Sequence, residues 1–248
     1  MIELKDICVT FAKGTPLQNT IFDHFNLQIN TGEFVTVIGG NGAGKSTLMN
    51  IISGELLADA GSITLDNMNV SHWLAHQRAK LISRVFQDPL LGSYADLSIE
   101  ENLSLAYSRG KPRTLCPAVT EATRSIFREN LQHIGIGLED RLTDKMGSLS
   151  GGQRQAVSLV MATLRPSKIL LLDEHTAALD PKMERLILSL TQKLITEKKL
   201  TALMITHSMS QALEYGNRTL VMHHGNIVKD LIGSERDHLK ATDLVEFF

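Results

Sequence analysis

An α/β domain with a helical insert is predicted, and three stretches of the chain predict it. Phe34-Val35-Thr36-Val37-Ile38 is a short apolar, β-branched run, followed by a glycine-rich loop and by helical spacing from Ser46 to Ser53 that stops at Gly54. Ile169 to Leu172 reads as a second buried strand, and it ends in the carboxylates Asp173 and Glu174. Between the two, from roughly Leu90 to Gly147, the pattern turns helical and more charged. The expected organisation is one domain over residues 1–248, with a core at 1–89 and 160–248 and a helical insert at 90–159. A single phosphate-binding loop and no internal repeat argue against two domains at this length.

Met1 to Leu65 reads as β-rich, an antiparallel region around the loop, with Asp59-Ala60-Gly61 as a turn before a strand at Ser62 to Leu65. Within it, Gly39-Gly40-Asn41-Gly42-Ala43-Gly44-Lys45-Ser46-Thr47 fits G-x-x-x-x-G-K-[ST] between a strand and a helix. Glycines let the backbone wrap a phosphate so that successive N–H groups point inward, and the helix N-terminus adds its positive dipole end. Lys45 would reach the β- and γ-phosphates and Ser46 would bind Mg²⁺. The chain is therefore expected to have the P-loop NTPase fold, with a RecA-like core.

In the insert, Thr120 to Ile134 has helical spacing between loops at Pro112 and Gly135. Leu149-Ser150-Gly151-Gly152-Gln153 then opens an apolar helix, Ala156 to Leu164. Asp173 stands where an acid can hold the Mg²⁺ shell, and Glu174, one residue on, can accept a proton from the attacking water. His207 ends a strand-like run, Leu203 to Thr206, so its ring could face the same phosphate. Asp180-Pro181 caps a long amphipathic helix in which Leu186, Ile187, Leu190 and Leu194 share a face. His224-Gly225-Asn226 marks a hairpin.

Other residues of reactive type read as ordinary. His223 and His224 are adjacent, and neighbouring strand residues point to opposite faces, so no shared metal is expected. His72 and His76 have i, i+4 spacing without an acidic ligand nearby, which suits a solvated helix face. Cys8 and Cys116 form no C-x-x-C pair and are expected to be reduced and inert. The net charge of −2 lacks the basic excess of a protein that holds a phosphate backbone, so no nucleic acid is expected. No apolar run is long enough to span a membrane and no leader is expected.

Over almost its whole length the chain resembles the nucleotide-binding subunit of an ABC transporter. The family's phosphate loop matches residues 39–47, its glutamine switch matches Gln87 in Phe86-Gln87-Asp88-Pro89, and its signature matches Leu149 to Gln153. Its acidic strand matches Leu170 to Glu174, its dimer-contact loop Ala178-Leu179-Asp180, and its switch histidine His207. Phe11 is in position for the aromatic residue that stacks on adenine, where Tyr is commoner. The resemblance implies Mg²⁺ near Ser46, Gln87 and Asp173, and a catalytic set of Glu174, His207, Gln87 and Lys45. It also implies a head-to-tail homodimer that traps ATP between the loop of one subunit and Ser150, Gly151, Gly152 and Gln153 of the other, with Asp180 at the interface.

Four positions depart from the family pattern. Gly40 stands where Pro is frequent, Ala156 and Met161 stand where Arg is frequent, and His175 replaces the Pro after the catalytic Glu. His175 is expected either to cap the strand end or to alter the proton affinity of Glu174. As a stand-alone ATPase the chain most resembles importer subunits, including those for amino acids. That implies a separate transmembrane permease, a solute-binding protein and a peripheral place on the cytoplasmic face of the inner membrane. A non-transport clamp acting on ribosome or DNA, or an exporter or lipoprotein-extraction subunit, remain the alternatives.

Overall fold

The structure, a computed structural model, describes residues 1–111 and 117–247. Pro112 and Cys116, named above, lie outside them. In chain order the elements are β1 (Ile2–Phe11), β2 (Asn19–Ile29), β3 (Phe34–Gly39), α1 (Lys45–Ser53), β4 (Ala60–Leu65), β5 (Met68–Asn69), α2 (Ala75–Arg78) and β6 (Ile82–Val85). There follow α3 (Ile99–Tyr107), α4 (Glu121–Gln132), α5 (Gly151–Thr163), β7 (Ile169–Asp173), α6 (Pro181–Lys198), β8 (Thr201–Ile205), α7 (Met209–Glu214), β9 (Arg218–His223), β10 (Asn226–Ile232) and α8 (Ser234–Asp237).

A six-stranded sheet in the order β10-β9-β3-β8-β7-β6 carries the core; all its pairings are parallel except the β9–β10 hairpin. An antiparallel sheet, β2-β1-β4-β5, lies beside it. The central strands are mostly apolar because they are buried on both faces, and the hydroxyls of Thr36 on β3 and Thr219 on β9 bond each other and the Ala212 carbonyl. Their side chains alternate between two cores. Val35, Val37, Leu171, Leu203 and Leu220 join the antiparallel sheet and the Leu48, Met49, Ile51 and Ile52 face of α1. Phe34, Leu170, Leu172, Ala202 and Met204 join Ile99 and Leu103 of α3, Phe127 and Leu131 of α4, and α5 and α6. Each fully buried aliphatic side chain of this kind contributes about 1.5–3 kcal/mol, so the helix that follows the phosphate loop is anchored along its length.

The insert helices start where their caps dictate. Ser98 accepts from the Glu101 N–H while Glu101 bonds back to the Ser98 N–H, and Thr120 and Thr123 repeat that arrangement before α4. Three details differ from expectation. The division at 159/160 falls inside the unbroken α5, because this helix serves the insert and the sheet with one apolar face. Ala60 and Gly61 belong to β4, not to a turn, since Ala60 pairs with Cys8 across a bulge in β1. On α6 the buried face is Ile187, Leu188, Leu190, Thr191 and Ile195, with Leu186 and Leu194 half-buried, because the helix is covered by both α5 and the sheet.

Candidate functional site: a phosphate loop facing two carboxylates

The loop leaves β3 at Gly39, where only glycine fits: a Cβ there would lie 2.5 Å from the Met222 carbonyl oxygen and 3.0 Å from the Ala43 Cβ. Gly44 enters α1 at φ 98°, in the left-handed region. The Gly225 N–H, at the β9–β10 turn, donates to the Ala43 carbonyl at 3.1 Å and pins the loop from outside. Among the described residues, no backbone acceptor takes the N–H groups of Gly44, Lys45, Ser46 and Thr47. These orphan donors at the start of a nine-residue helix suit phosphate oxygens. Gly40 adopts no left-handed conformation and has open space about it, so Pro is not excluded there by a neighbour.

Lys45 is buried, and its Nζ donates to the Gly39 and Gly40 carbonyls at 2.7 and 3.0 Å. Two of its three hydrogens thus fold the side chain back along the loop, leaving one for a ligand. Burial lowers its pKa, and the charges of Glu174 and Asp173 oppose that shift. Ile21, Asn41, Gly42, Ala43, Gly44, Lys45, Ser46, Thr47, Glu174 and His207 line one cavity of about 190 Å³. Ile21, on β2, is the wall residue that no sequence motif announced.

Glu174 follows β7 at φ 44°, with its N–H on the Ile205 carbonyl at 3.1 Å. That left-handed turn brings its carboxylate to the His207 ring, Nε2 to Oε1 2.6 Å. Asp173 is held differently. Its Oδ2 accepts from Arg84 Nη2 at 2.6 Å, whereas no protein donor reaches Oδ1 among the described residues. Ser46, Gln87 and Asp173 would offer hydroxyl, amide and carboxylate oxygens, hard donors of the kind Mg²⁺ takes, and the unbonded Asp173 Oδ1 suits such a role. Gln87 is exposed beyond the end of β6 and outside the cavity lining.

The remaining site residues are dispersed. Ser150 is the N-cap of α5: its Oγ accepts the Gln153 N–H at 3.3 Å and its own N–H donates to Gln153 Oε1. Ser150 and Gly151 are exposed, Gly152 is buried, and none of Ser150 to Gln153 lines the cavity. Asp180 caps α6 through the N–H groups of Lys182 and Met183. Phe11 ends β1, exposed, outside the cavity lining.

Three histidines sit otherwise than expected. His175 neither caps the strand nor turns to Glu174; it is buried against α6, its Nε2 3.1 Å from Thr191 Oγ1, and burial pushes its pKa down to about 4. His72 precedes α2, so it shares no helix face with His76. His224 occupies the hairpin turn at φ 43°, not a strand, and its ring therefore meets that of His223 edge-on at 4.2 Å. Alternation does not apply at a turn.

Residues 22–177 match the ABC transporter family. The chain is 42% identical over 248 residues to the tyrosine transport ATP-binding protein of Clostridioides difficile (strain R20291), covering 100% of this chain and 98% of that protein. It is 35% identical over 218 residues to the thiamine import ATP-binding protein ThiQ of Histophilus somni (strain 129Pt), covering 84% and 94%. Among solved structures, it is similar to the dimeric, post-hydrolysis state of an ATP-binding cassette bound to ADP and Pi, with TM-score 0.81, 29% identity and coverage of 94% of this chain and 98% of that one. The match runs through the loop, the signature and the acidic strand alike. The chain belongs to the ABC transporter family and is an ATP-binding ATPase subunit of it.

Proposed function

We propose that two copies of this chain close head to tail on two Mg-ATP and drive a separate membrane permease that takes up a small solute, an amino acid of aromatic type. The observation that carries the assembly is a separation. The cavity of about 190 Å³ is smaller than the roughly 300–1,000 Å³ of a full ligand pocket, and the exposed α5 N-terminus that would cap it lines no part of it. Each chain thus offers two incomplete halves, and a second copy completes both.

In the closed dimer the loop N–H groups and Lys45 bind the β- and γ-phosphates, Phe11 stacks on adenine, and Ser150 with Gly151, Gly152 and Gln153 of the opposite subunit meets the γ-phosphate. Asp180 lies at that interface. Ser150 Oγ uses one of its two lone pairs to accept the Gln153 N–H, and its O–H hydrogen remains available to donate. Ser46, Gln87 and Asp173 would hold Mg²⁺, which would neutralise charge on the phosphate oxygens. Glu174 takes a proton from the attacking water, and His207 orients the Glu174 carboxylate and faces the γ-phosphate.

Import is supported by the relatives, whose names give tyrosine transport and thiamine import. Docking to a permease is supported by a groove beside Gln87. Phe86, Gly92, Tyr94, Leu105, Ala106 and Met161 line it with about 210 Å³ of open volume, and Leu90 and Leu91 stand exposed at its rim segment. No helix among the described residues is long and apolar enough to cross a membrane, and the reading places the permease in another chain. A solute-binding protein and a place on the cytoplasmic face of the membrane complete the reading.

The test is to purify the chain from detergent-solubilised membranes, identify its partners, and follow uptake of labelled tyrosine in a strain lacking it. A permease partner and reduced uptake are expected. Ribosomal partners, or export of the label, contradict the reading.

A further inference from the structure

Arg84 belongs to no motif that the sequence announces, yet it joins the three segments that surround the proposed metal position. It projects from β6, beside Leu171 of β7 in the parallel register. Its Nη2 donates to Asp173 Oδ2 at 2.6 Å, at the end of β7. Its Nη1 donates to Asn50 Oδ1 and Glu55 Oε2, both at 2.8 Å, in and just after the helix that begins with Lys45 and Ser46. Its guanidinium lies 4.8 Å from the ring centre of Phe86, the residue before Gln87. The side chain is only 10% exposed, and its Nε is buried without a partner.

We infer that Arg84 is a positioning residue for the metal shell: it fixes the Asp173 carboxylate through Oδ2, which leaves Oδ1 free for the metal, and it ties that carboxylate to α1 and to the Gln87 segment. The chemistry favours this over a merely structural ion pair. A planar guanidinium offers donors at fixed angles, so it sets the orientation of a carboxylate as well as its charge. A strand-borne cation that only balanced Asp173 would not need further anchors on Asn50 and Glu55. Because Arg84 and Phe86 also line the groove beside Gln87, a shift of that segment moves the same guanidinium. The inference rests on the reading that Asp173 helps to hold the metal.

The test uses Mn²⁺ as the probe. Free Mn²⁺ is measured by electron paramagnetic resonance with the full chain and a non-hydrolysable ATP analogue, for wild type, Arg84→Met, Arg84→Lys and Asp173→Asn. Groups that orient metal ligands are typically worth about 10- to 100-fold in metal affinity or activity, so Arg84→Met should raise the half-saturating Mn²⁺ by about tenfold or more. Its kcat should fall by a similar factor while the metal-free ATP dissociation constant stays within about threefold, since Arg84 touches no part of the phosphate loop. Arg84→Lys, which keeps the charge but cannot span all three anchors, should recover only part of the loss.

Half-saturation unchanged in Arg84→Met while Asp173→Asn shifts it would overturn the Arg84 inference alone. No shift in Asp173→Asn would overturn the metal reading beneath it. If Arg84→Met unfolds, Asn50→Ala, which removes one anchor and uncovers no charge, should still raise the half-saturating Mn²⁺ measurably; no change there overturns the inference.

Discussion

The Nε2 atom of His207 stands 2.6 Å from Oε1 of Glu174, joining the end of β8 to the end of β7 across the mouth of the phosphate-loop cavity. Glu174 is largely enclosed and His207 is half exposed, so the histidine holds the carboxylate from the solvent side. A left-handed φ of 44° at Glu174 makes this approach possible, and such strain at a non-glycine residue is characteristic of sites where geometry matters to the chemistry.

Replacing Glu174 by Gln keeps the shape and a hydrogen-bonding group but removes the base. Single-turnover hydrolysis should fall by about 10²–10⁴-fold, the usual contribution of a general base. Nucleotide affinity should survive. Rapid-quench measurement with excess enzyme checks this, and a loss of less than severalfold in a folded variant would show that Glu174 is not the base.

Lys45→Ala should act at a different step. The ammonium is buried and held to the Gly39 and Gly40 carbonyls, so its loss removes the phosphate-facing cation and also frees the loop. Fluorescent-nucleotide titration should show affinity for the triphosphate weakened, with AMP unaffected. Equal affinity for ATP in Lys45→Ala and wild type would remove Lys45 from the binding role.

His175 should make the fold sensitive to acid. Burial takes its pKa from an ordinary 6.5 to about 4, so the folded state resists protonation that the unfolded chain accepts. The stabilisation is present in full above pH 6.5 and is lost as pH falls toward 4, amounting to about 3 kcal/mol over that window. Urea unfolding of the metal-free protein at pH 7.5 and pH 4.5 checks the sign. His175→Gln, which can still bond Thr191 but does not titrate here, should flatten the dependence; an identical slope in both proteins would assign the acid sensitivity elsewhere.

The phosphate loop, the acidic strand and the signature were legible because each is contiguous: their chemistry needs particular residues at fixed spacing on one strand, loop or helix. The central strands were legible because burial on two faces leaves few polar positions, Thr36 and Thr219 among them. Arg84, Ile21 and the fate of His175 were not. Arg84 meets Asp173 only because β6 pairs with β7, and Ile21 reaches the loop only because β2 packs beside it; neither adjacency has a local signal. His175 follows Glu174 directly, but the left-handed turn at Glu174 sends the two side chains to different neighbours, and the sequence does not announce a positive φ at a glutamate.

Charge placed on the segment after Gln87 should separate partner docking from chemistry. Leu91 is 72% exposed and Tyr94 is 65% exposed, so Leu91→Glu and Tyr94→Glu have little packing to disturb. Both should reduce co-purification with the membrane partner and transport-linked hydrolysis, with ATP affinity and melting temperature of the isolated chain unchanged. Full transport in both variants would move the interface away from this segment.

The central claim is that one ATP site is built from two chains, and the direct measurement is the mass of Glu174→Gln in solution by light scattering. With Mg-ATP it should shift from monomer to dimer, with ADP it should remain monomeric, and adding Ser150→Arg, which places bulk and charge where the γ-phosphate docks, should abolish the dimer. A mass that stays monomeric with Mg-ATP, or a dimer that forms equally well with ADP and with Ser150→Arg present, would contradict the account.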